Sequence, residues 1–286
     1  VRGNFAYATS TCASPKGPIG VFAPTAPCTT NAQCGAVGGV CNLGTGTCNP
    51  NATDVKTTTH PALTAVDLTT GQATTHVLDA LFDAPAVDSA RMPHLPTDAG
   101  FFNQFLYVSA MGADAVFRLE VDGQSITSVG SQNNDFINLR KDGTDTLIRN
   151  PVGIATAHGQ NAFAFVSNDG SRDVTALAFA SQSIAAGPGG DHRIAQASAL
   201  PDAGSEQDRQ LRGKRFFNTG LGRWSLGGEA WGSCAACHID GLTDNVTWYF
   251  ARGPRQSTSL DGSFASTDPT DQRIFNWTAI FDEVAD

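Results

Sequence analysis

Residues 105–119 (FLYVSAMGADAVFRL) and 163–177 (FAFVSNDGSRDVTAL) align without a gap at an offset of 58. The matched pairs are Phe105/Phe163, Val108/Val166, Ser109/Ser167, Gly112/Gly170, Val116/Val174 and Leu119/Leu177. No other feature constrains the fold as much, because one small unit must be built at least twice. Each copy carries β-branched and aromatic residues on both sides of a glycine, which predicts strand, turn and strand. A third strand is expected after each, in GQSITSV at 123–129 and SQSIAA at 181–186. Residues 63–78 (LTAVDLTTGQATTHVL) read as the second half of an earlier copy.

The strings YVSA (107–110) and FVSN (165–168), with NPVGIA (150–155) ahead of the second, resemble the YVTN-type β-propeller repeat. That resemblance covers roughly residues 60–190 and implies propeller blades. Propellers use about four to eight blades. Two to three are legible here, so the expected ring is incomplete.

The seven cysteines fall into two groups. Cys12, Cys28, Cys34, Cys41 and Cys48 crowd the first fifty residues, where little apolar material is available for a core. A dense cluster of this kind reads as a disulfide framework, which needs an oxidising compartment. A zinc site would need CxxC knuckle spacing, which is missing. The last four of these cysteines allow three pairings, and the spacing does not choose among them. A resemblance to small cysteine-rich modules of secreted bacterial proteins implies crossed pairing, Cys28–Cys41 with Cys34–Cys48. Cys12 is left over, free or bonded to a segment elsewhere.

The second group is Cys234-Ala-Ala-Cys237-His238. Two cysteines three positions apart on a helical turn can reach the two vinyl groups of one porphyrin. A histidine directly after the second cysteine then meets the iron as proximal ligand. The expected cofactor is one covalent haem c per chain, with Cys234 and Cys237 as thioether donors and His238 as metal ligand. A thioredoxin-like CxxC needs a βαβ context, which is absent. Zinc needs a second ligand pair, also absent. A structural disulfide would close a strained small loop. Ahead of the motif, Ser205-x-x-Asp208 predicts a helix N-cap, with the helix running to about Phe217.

The stretch GKRFFNTGLGRWSLGGEAWGSCAACHIDGLTDNVTWYFARGPRQSTSL resembles the N-terminal haem domain of bacterial di-haem cytochrome c peroxidases and their methylamine-enzyme-maturing relatives. The matching pieces are residues 213–217, 227–233, 234–238, 243–245 and 253–260, within about 75 residues. The resemblance implies an electron-transferring haem, a second haem that meets peroxide, and a tryptophan coupling the two. Trp248, ten residues after His238, is the match for that catalytic position. The alternative for Trp248 is an aromatic that packs against haem or core. Arg252 and Arg255 are candidates to pair haem propionates, since guanidinium binds carboxylates bidentately; the alternative is ordinary surface arginine. The chain departs from the pattern in having one CxxCH and no histidine after His238. Residues 273–286 (RIFNWTAIFDEVAD) have helical spacing but no terminal cap, so the haem domain is expected to be truncated.

Distal iron ligands must come from His60, His76, His94, His158, His192, Met92 or Met111. A methionine would raise the potential and a second histidine lower it. Calcium is considered at Asn168-Asp169-Gly170 and Asp240-Gly241, which read first as turns.

The expected fold class is mixed. A disulfide-rich module (1–53) precedes β-rich propeller-like repeats (54–200) and a mostly α-helical c-type cytochrome domain (201–286). A formal net charge of −9 argues against nucleic acid and anionic membrane as partners. No run of about 18 apolar residues is present to span a membrane. Val1 begins what reads as a mature chain, expected in the periplasm or outside the cell. Three functions compete. The first is electron transfer with a redox partner protein, another haem protein or a missing C-terminal segment. The second is a di-haem peroxidase or oxygenase. The third is a binding or structural protein displaying β repeats.

Overall fold

The computed structural model describes residues 1–13, 27–30, 33, 39–42, 46–50, 59–78, 91–130, 136–140, 147–157, 162–185, 193–222, 228, 230, 232–250 and 253–260. Strand β1 (Phe5–Ala13) is followed by a two-stranded ribbon of β2 (Gly39–Asn42) and β3 (Thr47–Pro50). β4 (Thr59–Asp67) and β5 (Ala73–Val77) join β1 in a first antiparallel sheet ordered β1-β4-β5. The second sheet holds β6 (Pro96–Phe102), β7 (Phe105–Ala110), β8 (Ala115–Asp122), β9 (Ser125–Val129) and β10 (Phe136–Asn138). Its order is β10-β8-β7-β6, with β9 also on β8. The third holds β11 (Pro151–Thr156), β12 (Phe163–Asn168), β13 (Asp173–Ala178), β14 (Ser183–Ile184) and β15 (Arg193–Gln196), with β15 on β13.

The repeat is realised strand for strand. Val108 faces Phe117 across β7–β8, and Val166 faces Thr175 across β12–β13, which is the same register at the same offset. The turns match as well, with Asp114 (φ 46°) and Arg172 (φ 56°) both left-handed at equivalent positions. The surroundings differ. β7 is almost wholly buried because the second sheet lies between the other two, whereas β12 alternates exposed and buried. Leu106, Val108, Phe117 and Leu119 pack with Leu63 and Leu78 on one side. Tyr107, Val116 and Ile137 pack with Ile154, Val166, Leu177 and Phe179 on the other.

The three sheets meet along β1, β6 and β11, with β6 against both others. Polar bonds fix these seams. The Tyr7 hydroxyl donates to Gly123 O at 2.6 Å, and Ile154 N donates to Asp98 Oδ2 at 2.9 Å. Deeper in, the Asp114 carboxylate is fully buried. It accepts from Arg149 N at 3.1 Å, Asn150 N at 2.9 Å and Arg140 Nε at 2.8 Å. Arg149 in turn donates to Asp173 Oδ2 at 3.0 Å.

The expected mixed fold with a mostly α-helical cytochrome domain is overturned. The described part of 201–286 contains helix α1 (Glu206–Asn218), the single turn α2 (Cys234–Cys237), and a ribbon of β16 (Thr247–Phe250) and β17 (Gly253–Gln256). The regular structure among the described residues is mostly antiparallel sheet. The local reason is composition. Thr-Trp-Tyr-Phe at 247–250 is β-branched and aromatic, which favours strand over helix, and the glycines at 220, 222, 227, 228 and 232 weaken any helix before the motif. The helix expected at 205–217 forms, capped by Ser205 Oγ accepting from Asp208 N at 3.2 Å. The terminal helix expected at 273–286 lies outside the described residues.

In the N-terminal module Cys28 is bonded to Cys41. The pairing partner expected for Cys48, Cys34, lies outside the described residues. Cys12 is a free thiol on β1. No helix among the described residues is long and apolar enough to cross a membrane.

Candidate haem-attachment site

The segment bearing the CxxCH motif is seated on the two glycine turns of the repeat. Arg215 Nε on α1 donates to Gly170 O at 2.6 Å, and Lys214 pairs with Asp169 at 2.6 Å. Gly220 N donates to Gly112 O at 2.7 Å. Ala230 is fully buried and joins the core between the first and second sheets. A third tie comes just before the motif. His94 Nε2 lies 2.9 Å from Ser233 Oγ, and the imidazole is only 1% exposed.

Cys234 and Cys237 stand three positions apart on α2, which puts them on one face of the turn. Both are free thiols, so the structural-disulfide alternative does not apply to this turn. His238 closes it, donating its backbone N–H to Cys234 O at 2.9 Å. Its Nδ1 lies 3.1 Å from Leu242 O. A carbonyl oxygen only accepts, so Nδ1 carries the proton and the Nε2 lone pair is left for iron.

Asp244 supports the turn from the other side. Its N–H donates to Cys237 O at 2.9 Å, and its Oδ1 accepts from Ser257 Oγ at 2.5 Å and Val246 N at 3.0 Å. Burial, reinforced by the Asp244 carboxylate, pushes the Cys237 thiol up to about 12. The Cys234 thiol is also raised, by protein atoms that desolvate the sulfur although the residue as a whole is exposed. Redox-active and metal-binding cysteine pairs show the opposite, a thiol made more acidic.

The pieces 243–245 and 253–260, separate in sequence, come together here. Thr243 Oγ1 donates to Ser257 O at 2.9 Å, and Leu260 N donates to Gly241 O at 2.7 Å. The surface beside the motif is apolar, with Ile239, Leu242 and Leu260 exposed by 36%, 49% and 37%. A covalent haem fits these residues. There are two protonated thiols on one face, an imidazole with a free Nε2, and exposed apolar side chains for a porphyrin to cover.

The other sequence-picked residues divide. Trp248 and Arg255 are backbone partners across the β16–β17 ribbon, which begins three residues after Asp244. Arg252, His158 and His192 lie outside the described residues. His76 Nε2 is 2.6 Å from Gln124 O, binding the first sheet to the second. Met92 is buried and Met111 opens the glycine turn. Among the described residues no three His, Cys, Asp or Glu side chains gather as a metal cage. At the first calcium candidate, Asn168 Nδ2 donates to Asp173 Oδ1 at 2.8 Å and Asp169 pairs with Lys214. At the second, Asp240 (φ 54°) and Gly241 (φ 76°) form a left-handed turn. Sequence reasoning missed Ser233, Asp244 and Ser257 as supports of the site, and their only signal was proximity to the motif or to pieces of the resemblance.

Compared with models of known protein families, the chain matches none, and it matches no curated protein.

Proposed function

We propose that this protein is an extracytoplasmic c-type cytochrome that transfers electrons through one haem held by Cys234, Cys237 and His238. The observation that carries the reading is the closed CAACH turn, with both thiols on one face and His238 Nδ1 committed to Leu242 O. Haem c supplies a one-electron iron couple at the surface. The chain's own residues do the rest. Cys234 and Cys237 hold the porphyrin, Leu242 O orients the imidazole, and Asp244 ties Cys237 to the 253–260 segment. Ile239, Leu242 and Leu260 offer apolar contact that keeps water from part of the ring. The Cys28–Cys41 disulfide supports the periplasm or the cell exterior as the compartment. The partner is a redox protein reached from an acidic surface.

The test is attachment. Cys234→Ala with Cys237→Ala abolishes covalent haem in a denaturing gel stained for haem after acid-acetone extraction. Stain retained in the double variant would overturn the assignment.

A second reading is a peroxidase similar to the di-haem family, with a second haem carried elsewhere. It is favoured by Trp248 lying in the ribbon that follows Asp244, opposite Arg255. Coordination separates the two readings, because a six-coordinate iron suits electron transfer and an open face suits peroxide. Haem count by intact mass gives the same division.

A further inference from the structure

The histidine under the motif has a neighbourhood of its own. Ser233 is the N-cap residue of α2, yet its side chain makes no bond to that helix's amides. An N-cap serine ordinarily accepts from the second or third amide of its helix. Here its hydroxyl meets His94 Nε2 instead, across 139 residues of chain. The backbone around His94 is equally committed. His94 N donates to Met92 O at 2.7 Å, Gly112 N to His94 O at 3.0 Å, and Met111 N to Leu95 O at 2.9 Å. Leu95 is held left-handed at φ 51°. Gly112 packs directly against the imidazole, and a Cβ there would collide with His94 Cδ2.

The repeat supplies an internal comparison. Gly170, the equivalent of Gly112, packs against Ile148 O, Arg149 O and Asn150 Oδ1 rather than against a ring. The position equivalent to His94 in that copy is Arg149, since Gly170 N donates to Arg149 O as Gly112 N does to His94 O. Its buried guanidinium donates to Leu139 O and Asp173 Oδ2 and ties strands together. Only the copy beneath the cysteine motif uses its glycine to admit an imidazole. Burial holds that imidazole neutral, with its pKa lowered to about 3. A neutral ring at this place can bond a hydroxyl without bringing a charge under the site.

We propose that His94 is a positioning residue for the haem: through Ser233 it locks the start of the attachment turn to the glycine turn of the second sheet, and so sets the orientation of His238. This inference rests on the haem reading above. A buried strut of this kind acts as second-layer support, which fixes ligand orientation and the solvent access that tunes potential.

The test uses the full-length haem-loaded protein, with three variants compared by haem stain, ferric electron paramagnetic resonance and midpoint potential. His94→Leu and Ser233→Ala are each expected to keep covalent haem but to shift the ferric g-values and lower the midpoint potential as water reaches the site. His94→Gln, which places an amide group near the lost Nε2, is expected to restore both. Ser233→Ala removes only a hydroxyl, so it decides the matter if His94→Leu does not fold. Wild-type g-values and potential in stained Ser233→Ala would overturn the positioning role while leaving the haem reading intact. A wild-type chain with no covalent haem would overturn both.

Discussion

His94 is the residue whose chemistry depends most on burial. Its ordinary pKa of 6.5 falls to about 3 in the fold, with desolvation as the cause. Between those pH values the unfolded chain binds a proton that the folded chain refuses. Stability from this residue is therefore full above pH 6.5 and lost progressively as pH falls toward 3. His94→Gln carries no such proton, so the gap between variant and wild-type melting temperatures is expected to narrow or reverse below pH 6.5. Parallel pH profiles for the two proteins would contradict this. The placement of Cys234, Cys237 and His238 on one turn was legible from spacing, because it is fixed within five residues. His94 was legible only as one of several unassigned ligands, because its partner is 139 residues away. No local pattern marks a side chain whose role is set by a contact of that range.

At the scale of elements, α1 and the repeat strands follow from nearby residues. Ser205 caps α1, and its replacement by alanine is expected to cost about 1 kcal/mol, read from the shift in denaturant midpoint. The strands came from β-branched and aromatic runs around a glycine, and both copies kept the same register. The region around the CxxCH motif did not become the helical domain that the family resemblance implied, since residues 247–250 and 253–256 pair as a ribbon. That ribbon gives the second functional reading a direct trial. In it, Trp248→Phe slows reduction measured by stopped flow, while haem content and melting stay near wild type. Unchanged rates with lost stability would mark Trp248 as a packing residue. Asp114 shows what an element boundary can hold. Its buried carboxylate serves two backbone amides and Arg140. Asp114→Ala leaves those donors without their acceptor and is expected to destabilise by about 3–5 kcal/mol in chemical denaturation. A loss under about 1 kcal/mol would mean that water replaces the carboxylate there.

At the scale of the whole molecule, the two glycine turns are the seat of the segment that bears the CxxCH motif. Gly170 O receives Arg215 and Gly112 O receives Gly220. Adding a Cβ at Gly170 would bring it within 2.8 Å of Ile148 O and 2.9 Å of Arg149 O. Gly170→Ala is therefore expected to cost about 1–3 kcal/mol, as overpacking does. It should also loosen α1, seen as faster hydrogen exchange there than in the first sheet. Uniform exchange across the molecule would argue against a specific seat. The N-terminal ribbon is tied by a short-range link, the Cys28–Cys41 disulfide between residues 13 apart. Reduction is expected to release the 28–48 region alone, with the far-ultraviolet spectrum of the sheets retained.

By itself the sequence determined whatever depends on neighbours along the chain. It set the twice-built strand–turn–strand unit, the cap of α1, and the spacing that sets two thiols and an imidazole on one turn. These are decided by backbone geometry within a few residues. The tertiary structure alone decided that the second sheet is buried on both faces, that the repeat's glycine turns carry the cysteine segment, and that His94 stands beneath Ser233. Each of those depends on which surfaces exclude water together. Apolar burial is non-directional and acts between segments far apart in the chain, so its result is not written in any local pattern.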